Sequence, residues 1–262
     1  MENKPDQWPI LFEQLYIKTL STQPNKEPIQ NHISGIHLIV LIHGFQGNSG
    51  DLRAMKNNIL ALHPEALFLC STSNEGKTED DIEDMGVRLA NEVTEFIQEW
   101  CPGPTLGSIS FIGHSLGGVI IRTALPYLTH LKDKMCTFAT LSTPHLGYMY
   151  ASNTIVNAGL WVLKKIKNSK CLEQLTMTDT SNGKESFLYN LSLKEGLNWF
   201  KNVLLVSSYQ DRYIPIESAR IELIEKAVKD EKYAFNIISK EWIYIHRNDG
   251  EFVVVDTYKD AP

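Results

Sequence analysis

A chain of 262 residues with 43% hydrophobic and 21% charged content is long enough to enclose one large core and has the composition of an ordinary globular protein. Its formal net charge of −6 argues against nucleic acid as a partner. Cys70, Cys101, Cys136 and Cys171 are widely spaced, form no CxxC pair and have no histidine at ligand spacing, so neither a disulfide framework nor a metal site is expected.

The first residues, MENKPDQWPILFEQL, carry Pro5, Pro9 and acids where a signal peptide needs an apolar stretch. No apolar run reaches 18 residues, so no membrane span is predicted. The expectation is a cytoplasmic chain. Residues 10–20 have the pattern of a short helix, and the polar stretch 21–35 reads as a linker, making residues 1–34 a leader to one domain over 35–262. Within that domain, apolar runs at 37–42, 66–70, 108–112, 136–141, 202–207 and 252–258 read as strands. Helical periodicity fills 51–62, 80–100, 117–130 and 216–229. The alternation predicts an α/β fold, a mostly parallel sheet with helices on both faces. The acidic run TEDDIEDM (78–85) reads as a solvated helix start with Thr78 as its cap. Residues 144–201 are longer than a simple crossover needs. They predict either a cap-like insertion over the active-site end of the sheet or plain helical packing against the core.

Residues 109–121, ISFIGHSLGGVII, give an apolar strand, then Gly113-His114-Ser115-Leu116-Gly117, then an apolar helical run. This is the pattern of a nucleophile elbow, in which a serine is lifted clear of the sheet on a sharp strand-to-helix turn. Small neighbours are needed because a Cβ at Gly113 or Gly117 would crowd that turn. A serine hydroxyl is a weak nucleophile, so it requires a base, a group to orient the base, and donors for the oxyanion. The donors predicted are the backbone N–H of Leu116 and that of Phe45 in the loop His43-Gly44-Phe45-Gln46-Gly47, with Gly44 permitting close approach. His43 reads as a structural residue of this loop, and His114 receives no chemical role. The acid is Asp211, in SSYQDRYIP after a predicted strand, where catalytic groups of α/β sheets collect. In this chain order the histidine comes last. Only His246 follows Asp211, and it precedes the final strand instead of following it. It is the candidate base, with a surface histidine beside a turn as the alternative. His145, in STPHLG, reads as a pocket-wall residue or a second candidate. The chemistry calls for no cofactor and no metal.

Taken together, GIHLIVLIHGFQGNSGDLR (35–53), ISFIGHSLGGVIIR (109–122), LSTPHLG (141–147) and DRYIPIESARIE (211–222) resemble the eukaryotic "putative serine esterase" family, lipase-like members of the α/β-hydrolase superfamily. The resemblance implies an ester hydrolase acting on a small-molecule or lipid ester, with Ser115 as nucleophile and Asp211 as acid. Family members continue past the last strand into a histidine-bearing loop and a closing helix, whereas this sequence stops at Pro262, so that either it is a shortened version of a longer protein or it is a natural truncation that has lost its base. The alternative expectation is therefore a catalytically impaired pseudoenzyme, a structural or binding subunit of a larger assembly, with a protein partner covering the C-terminal side.

Overall fold

A computed structural model describes residues 35–148, 169–211, 213–222 and 251–256. The expected helix at 10–20, most of the stretch after 222, and His246 lie outside them. Among the described residues six strands form one sheet: β1 (Ile36–Ile42), β2 (Leu67–Cys70), β3 (Leu106–His114), β4 (Met135–Leu141), β5 (Asn202–Ser207) and β6 (Glu251–Asp256). Their order is β2-β1-β3-β4-β5-β6, and every neighbouring pair is parallel. All six predicted strands are present, within two residues at each end.

The helices are α1 (Arg53–Leu62), α2 (Ile82–Trp100), α3 (Leu116–Ala124), α4 (Lys170–Leu175), α5 (Phe187–Ser192) and α6 (Ile216–Arg220). Strand β1 shows why the sheet is covered twice. Leu38, Val40 and Ile42 join the main core, which includes Met85 and Leu89 of α2 and Val119 and Ile120 of α3. Ile39 and Leu41, on the alternate face, pack with Leu52 and with Met55 and Ile59 of α1. A period of two with both faces apolar is what a strand between two helical layers requires. On α2 the buried residues Ile82, Met85, Leu89 and Val93 recur at three- and four-residue spacing, each contributing roughly 1.5–3 kcal/mol on burial.

Two predicted helix boundaries shift for identifiable reasons. α3 ends at Ala124 and continues only as 3-10 turns, Leu125–Tyr127 and Thr129–Lys134, because Pro126 has no N–H to offer the Arg122 carbonyl. α2 is capped by Asp81, whose carboxylate accepts the Glu83 N–H at 2.8 Å, and not by Thr78. The Thr78 hydroxyl is drawn elsewhere, accepting the Gln46 N–H at 2.7 Å.

The segment at 169–175, within the stretch 144–201, is fixed to the beginning of α2. Gln174 accepts the Ile82 N–H at 2.9 Å and donates to Asp81 at 3.0 Å, and Lys170 pairs with Asp81. Cys171, Leu172, Leu175, Leu188 and Leu191 enter the main core. The buried Cys171 thiol donates to the Thr78 carbonyl at 3.1 Å, and burial pushes its pKa up to about 12. No helix among the described residues is long and apolar enough to cross a membrane.

Candidate active site

The chain enters the sheet at β1, next adds β2 on one side, then returns to place β3 on the other. The crevice between the carboxyl ends of β1 and β3 is thus the point where the winding reverses, the usual ligand position of an open parallel sheet. The loop leaving β1 and the turn leaving β3 meet there.

Ser115 occupies the single residue between β3 and α3, with φ 51° and ψ −124°. An L-residue held in such a sparsely populated region costs about 1–3 kcal/mol, so neighbouring interactions must impose it. They do. The Ser115 N–H donates to the Leu141 carbonyl at 2.8 Å, carrying the β3–β4 ladder one step further. The Ser115 carbonyl accepts from the Gly118 N–H at 3.2 Å and from the Thr143 hydroxyl at 2.8 Å. A Cβ at Gly113 would lie 2.5 Å from the Gly118 nitrogen, and one at Gly117 would strike the Ile42 carbonyl oxygen. The turn is closed by backbone on both sides, which is why both residues are glycine. Leu116, the first residue of α3, has an N–H with no intrahelical acceptor.

Across the crevice, a Cβ at Gly44 would lie 2.9 Å from the Ser115 Cβ. The loop therefore approaches the elbow as closely as a peptide can. His43 is buried, and its ring Nδ1 donates to the Gly44 carbonyl at 3.0 Å, the structural role read for it. Gly47 N–H donates to the same carbonyl at 3.1 Å. Phe45, half-buried, packs on the main core. Gln46, with φ 54°, ties the loop to the residues before α2 through Thr78 and through its side chain to Glu79 at 2.6 Å.

Asp211 follows β5, two strands from β3 and so on the order of 10 Å across the sheet. Its Oδ1 accepts the N–H groups of Tyr213 at 2.8 Å and Ile214 at 3.0 Å, which fixes the carboxylate plane. Its charge reaches two other groups of this end of the sheet. Burial holds the His114 imidazole below its ordinary value, opposed by the charges of Asp51 and Asp211. Burial pushes the Tyr148 phenol well up, and Cys171 and Asp211 add to that effect.

His145 is buried, with Nε2 at 3.0 Å from the Thr140 hydroxyl and its ring tilted on Phe138. Burial, and then the nearby Arg122 guanidinium, hold it well below its ordinary 6.5. It is a neutral internal residue. This has a measurable consequence. Below pH 6.5 the unfolded chain protonates this histidine and the folded chain does not, so its contribution to stability is intact above that pH. It falls by roughly 1 kcal/mol per pH unit as pH drops towards the folded value. Urea unfolding midpoints between pH 7.5 and 5 should therefore fall more steeply in the wild type than in His145→Gln; parallel profiles would refute the assignment.

His246 precedes β6, outside the described residues. The register places Glu251 beside Asn202 and Asp256 beside Ser207. The chain therefore enters β6 at the end of the sheet away from Asp211 and leaves it at the end where Asp211 lies.

Sequence reasoning missed Thr143, Gly118 and the anchoring role of Thr78. Only the doubled glycine of HSLGG hinted at them: a Cβ at Gly118 would run into the Thr143 hydroxyl.

The family model described as "Putative serine esterase (DUF676)" matches residues 32–222, which include the β1 loop, the elbow, the Thr143 segment and Asp211. The chain belongs to this family. Among curated relatives it is 29% identical to "Putative lipase YDL109C" of Saccharomyces cerevisiae over 72% of this chain and 31% of that protein. It is 28% identical to "Putative lipase ROG1" of the same yeast over 72% of this chain and 29% of that protein. The chain thus spans about a third of the length of these relatives. Among solved structures, the Pyrococcus furiosus esterase Pf2001 is similar at 15% identity and a TM-score of 0.47, covering 86% of this chain and 75% of that one. At that distance the likeness adds nothing to the family match.

Proposed function

We propose that this member of the serine esterase family hydrolyses carboxylic esters through an acyl-serine intermediate on Ser115. The observation that carries the reading is the strained serine at φ 51°, with Gly44 backed against its Cβ. Residues held in such strained conformations cluster at active sites and ligand clamps. The Ser115 Oγ attacks the ester carbonyl while a base accepts its proton. Negative charge gathers on the former carbonyl oxygen, faced by the N–H groups of Leu116 and Phe45; each such donor is typically worth about 10²–10³ in rate. The base returns its proton to the departing alkoxide, and water then repeats the sequence on the acyl-serine. Asp211, its Oδ1 occupied by two N–H groups, offers Oδ2 to orient the base.

His246 is the histidine that follows Asp211 in this chain, and as the candidate base its replacement, His246→Ala, should lose hydrolysis of p-nitrophenyl esters with its thermal midpoint unchanged. Hydrolysis at the wild-type rate in that variant would remove His246 from the role of base.

A lipid ester is the substrate class favoured. Tyr209 and Tyr213, 56% and 58% exposed, stand on either side of Asp211, and amphipathic aromatic rings suit a boundary between water and acyl chains. Relatives carrying the name lipase point the same way. The test of the reading is the intact mass of the protein after treatment with a fluorophosphonate. One adduct per chain, absent in Ser115→Ala, is expected. An unmodified wild type would overturn it and favour a binding role for the fold.

A further inference from the structure

We propose that Thr143 is a positioning residue that aims the Leu116 N–H at the developing oxyanion, an inference that rests on the esterase reading above. The Ser115 carbonyl and the Leu116 N–H belong to one planar peptide group, so whatever grips the oxygen sets the direction of the hydrogen. The Thr143 hydroxyl donates to that oxygen at 2.8 Å, a closer contact than the 3.2 Å bond from Gly118. Donation into the carbonyl also draws electron density through the amide and makes its N–H a stronger donor.

The hydroxyl is well placed to act as a fixed point, since Thr143 is 0% exposed. Its segment is pinned at both ends. Ser142, at φ 48°, donates its N–H to the Val206 carbonyl at 2.8 Å, and the His145 N–H closes on the Thr143 carbonyl at 2.9 Å. The His145 carbonyl accepts from the buried Arg122 guanidinium at 3.1 Å, and the His145 ring is fixed by Thr140. Arg122 lies on the helix that Ser115 initiates. The brace therefore runs from α3 through the segment after β4 and back to the first peptide of α3. Gly118 is the residue that leaves room for it. Because charge on the oxyanion appears only in the transition state, the brace acts on kcat and leaves substrate binding alone.

Thr143→Val keeps the shape and removes the donor; Thr143→Ser keeps the donor. Hydrolysis of p-nitrophenyl butyrate by Thr143→Val should show kcat lowered about 10- to 100-fold with KM within about twofold of wild type, and Thr143→Ser should recover most of the loss. The amide ¹⁵N resonance of Leu116, which senses hydrogen bonding at the carbonyl of its own peptide group, should move in Thr143→Val and stay in place in Thr143→Ser. Thr143→Ala serves in place of the valine variant if that one does not fold. An unmoved resonance, or a wild-type kcat in the variant lacking the hydroxyl, overturns the proposal. Ser115→Ala, run alongside, separates the two failures: hydrolysis surviving there removes the esterase reading, while the Leu116 resonance still decides whether Thr143 holds that peptide.

Discussion

Replacing Ser115 by glycine should abolish ester hydrolysis while making the protein more stable. Removing a catalytic serine typically costs on the order of 10⁶ in kcat, because no other group supplies the attacking oxygen. The stability gain follows from the backbone. Ser115 sits at φ 51°, ψ −124°, a conformation that burdens any residue with a Cβ and is nearly free for glycine. We expect Ser115→Gly to unfold with a ΔG about 1 kcal/mol above wild type, after allowing for the greater freedom of glycine in the unfolded chain. Ser115→Ala should lose hydrolysis equally and gain no stability, since alanine keeps the Cβ. Urea denaturation of the three proteins, paired with their turnover of a p-nitrophenyl ester, checks both halves. A glycine variant no more stable than the alanine variant would mean that the elbow stores no strain.

Asp211→Asn should reduce kcat by roughly 10⁴-fold at nearly unchanged stability. The side-chain amide oxygen can still accept from Tyr213 and Ile214, as Oδ1 does at 2.8 and 3.0 Å, so the turn after β5 persists. What disappears is the negative charge that orients a histidine base and stabilises its protonated form, a loss of that size in the Ser-His-Asp arrangement. Asp211→Ala should lose activity similarly and also destabilise by about 1 kcal/mol, because two backbone donors lose their acceptor. Equal hydrolysis in Asp211→Asn and wild type would place the acid elsewhere. The two variants separate the carboxylate's part in the turn from its charge.

The elements that proved readable share a physical basis. A strand covered on both faces must be apolar at nearly every position, so β1 stands out in one dimension. The elbow was equally legible, because backbone contacts at Gly113 and Gly117 exclude every side chain and leave a local imprint of a tertiary constraint. Asp211 could be placed at a strand end because the triad order and the strand pattern agree. Reading Thr78 as a helix cap failed for the opposite reason. Its local sequence suits a cap, but a backbone N–H from residue 46, far away in the chain, claims the hydroxyl, and Asp81 takes the capping position.

The sequence by itself therefore determined the alternation of strands and helices, the serine turn at Ser115 and the place of Asp211 after a strand, since each is encoded by neighbours within a few residues. Tertiary structure alone decided the rest. It set β1 beside β3, so that the Gly44 loop meets Ser115, and it sent the segment after β4 under the elbow, so that Thr143 grips the Ser115 carbonyl. It also fixed at which end of the sheet the chain enters β6. Those contacts join residues 28 to 71 positions apart. Hydrogen bonds and close approaches over such separations leave no periodic trace in a chain, because they depend on which strands the whole fold makes adjacent.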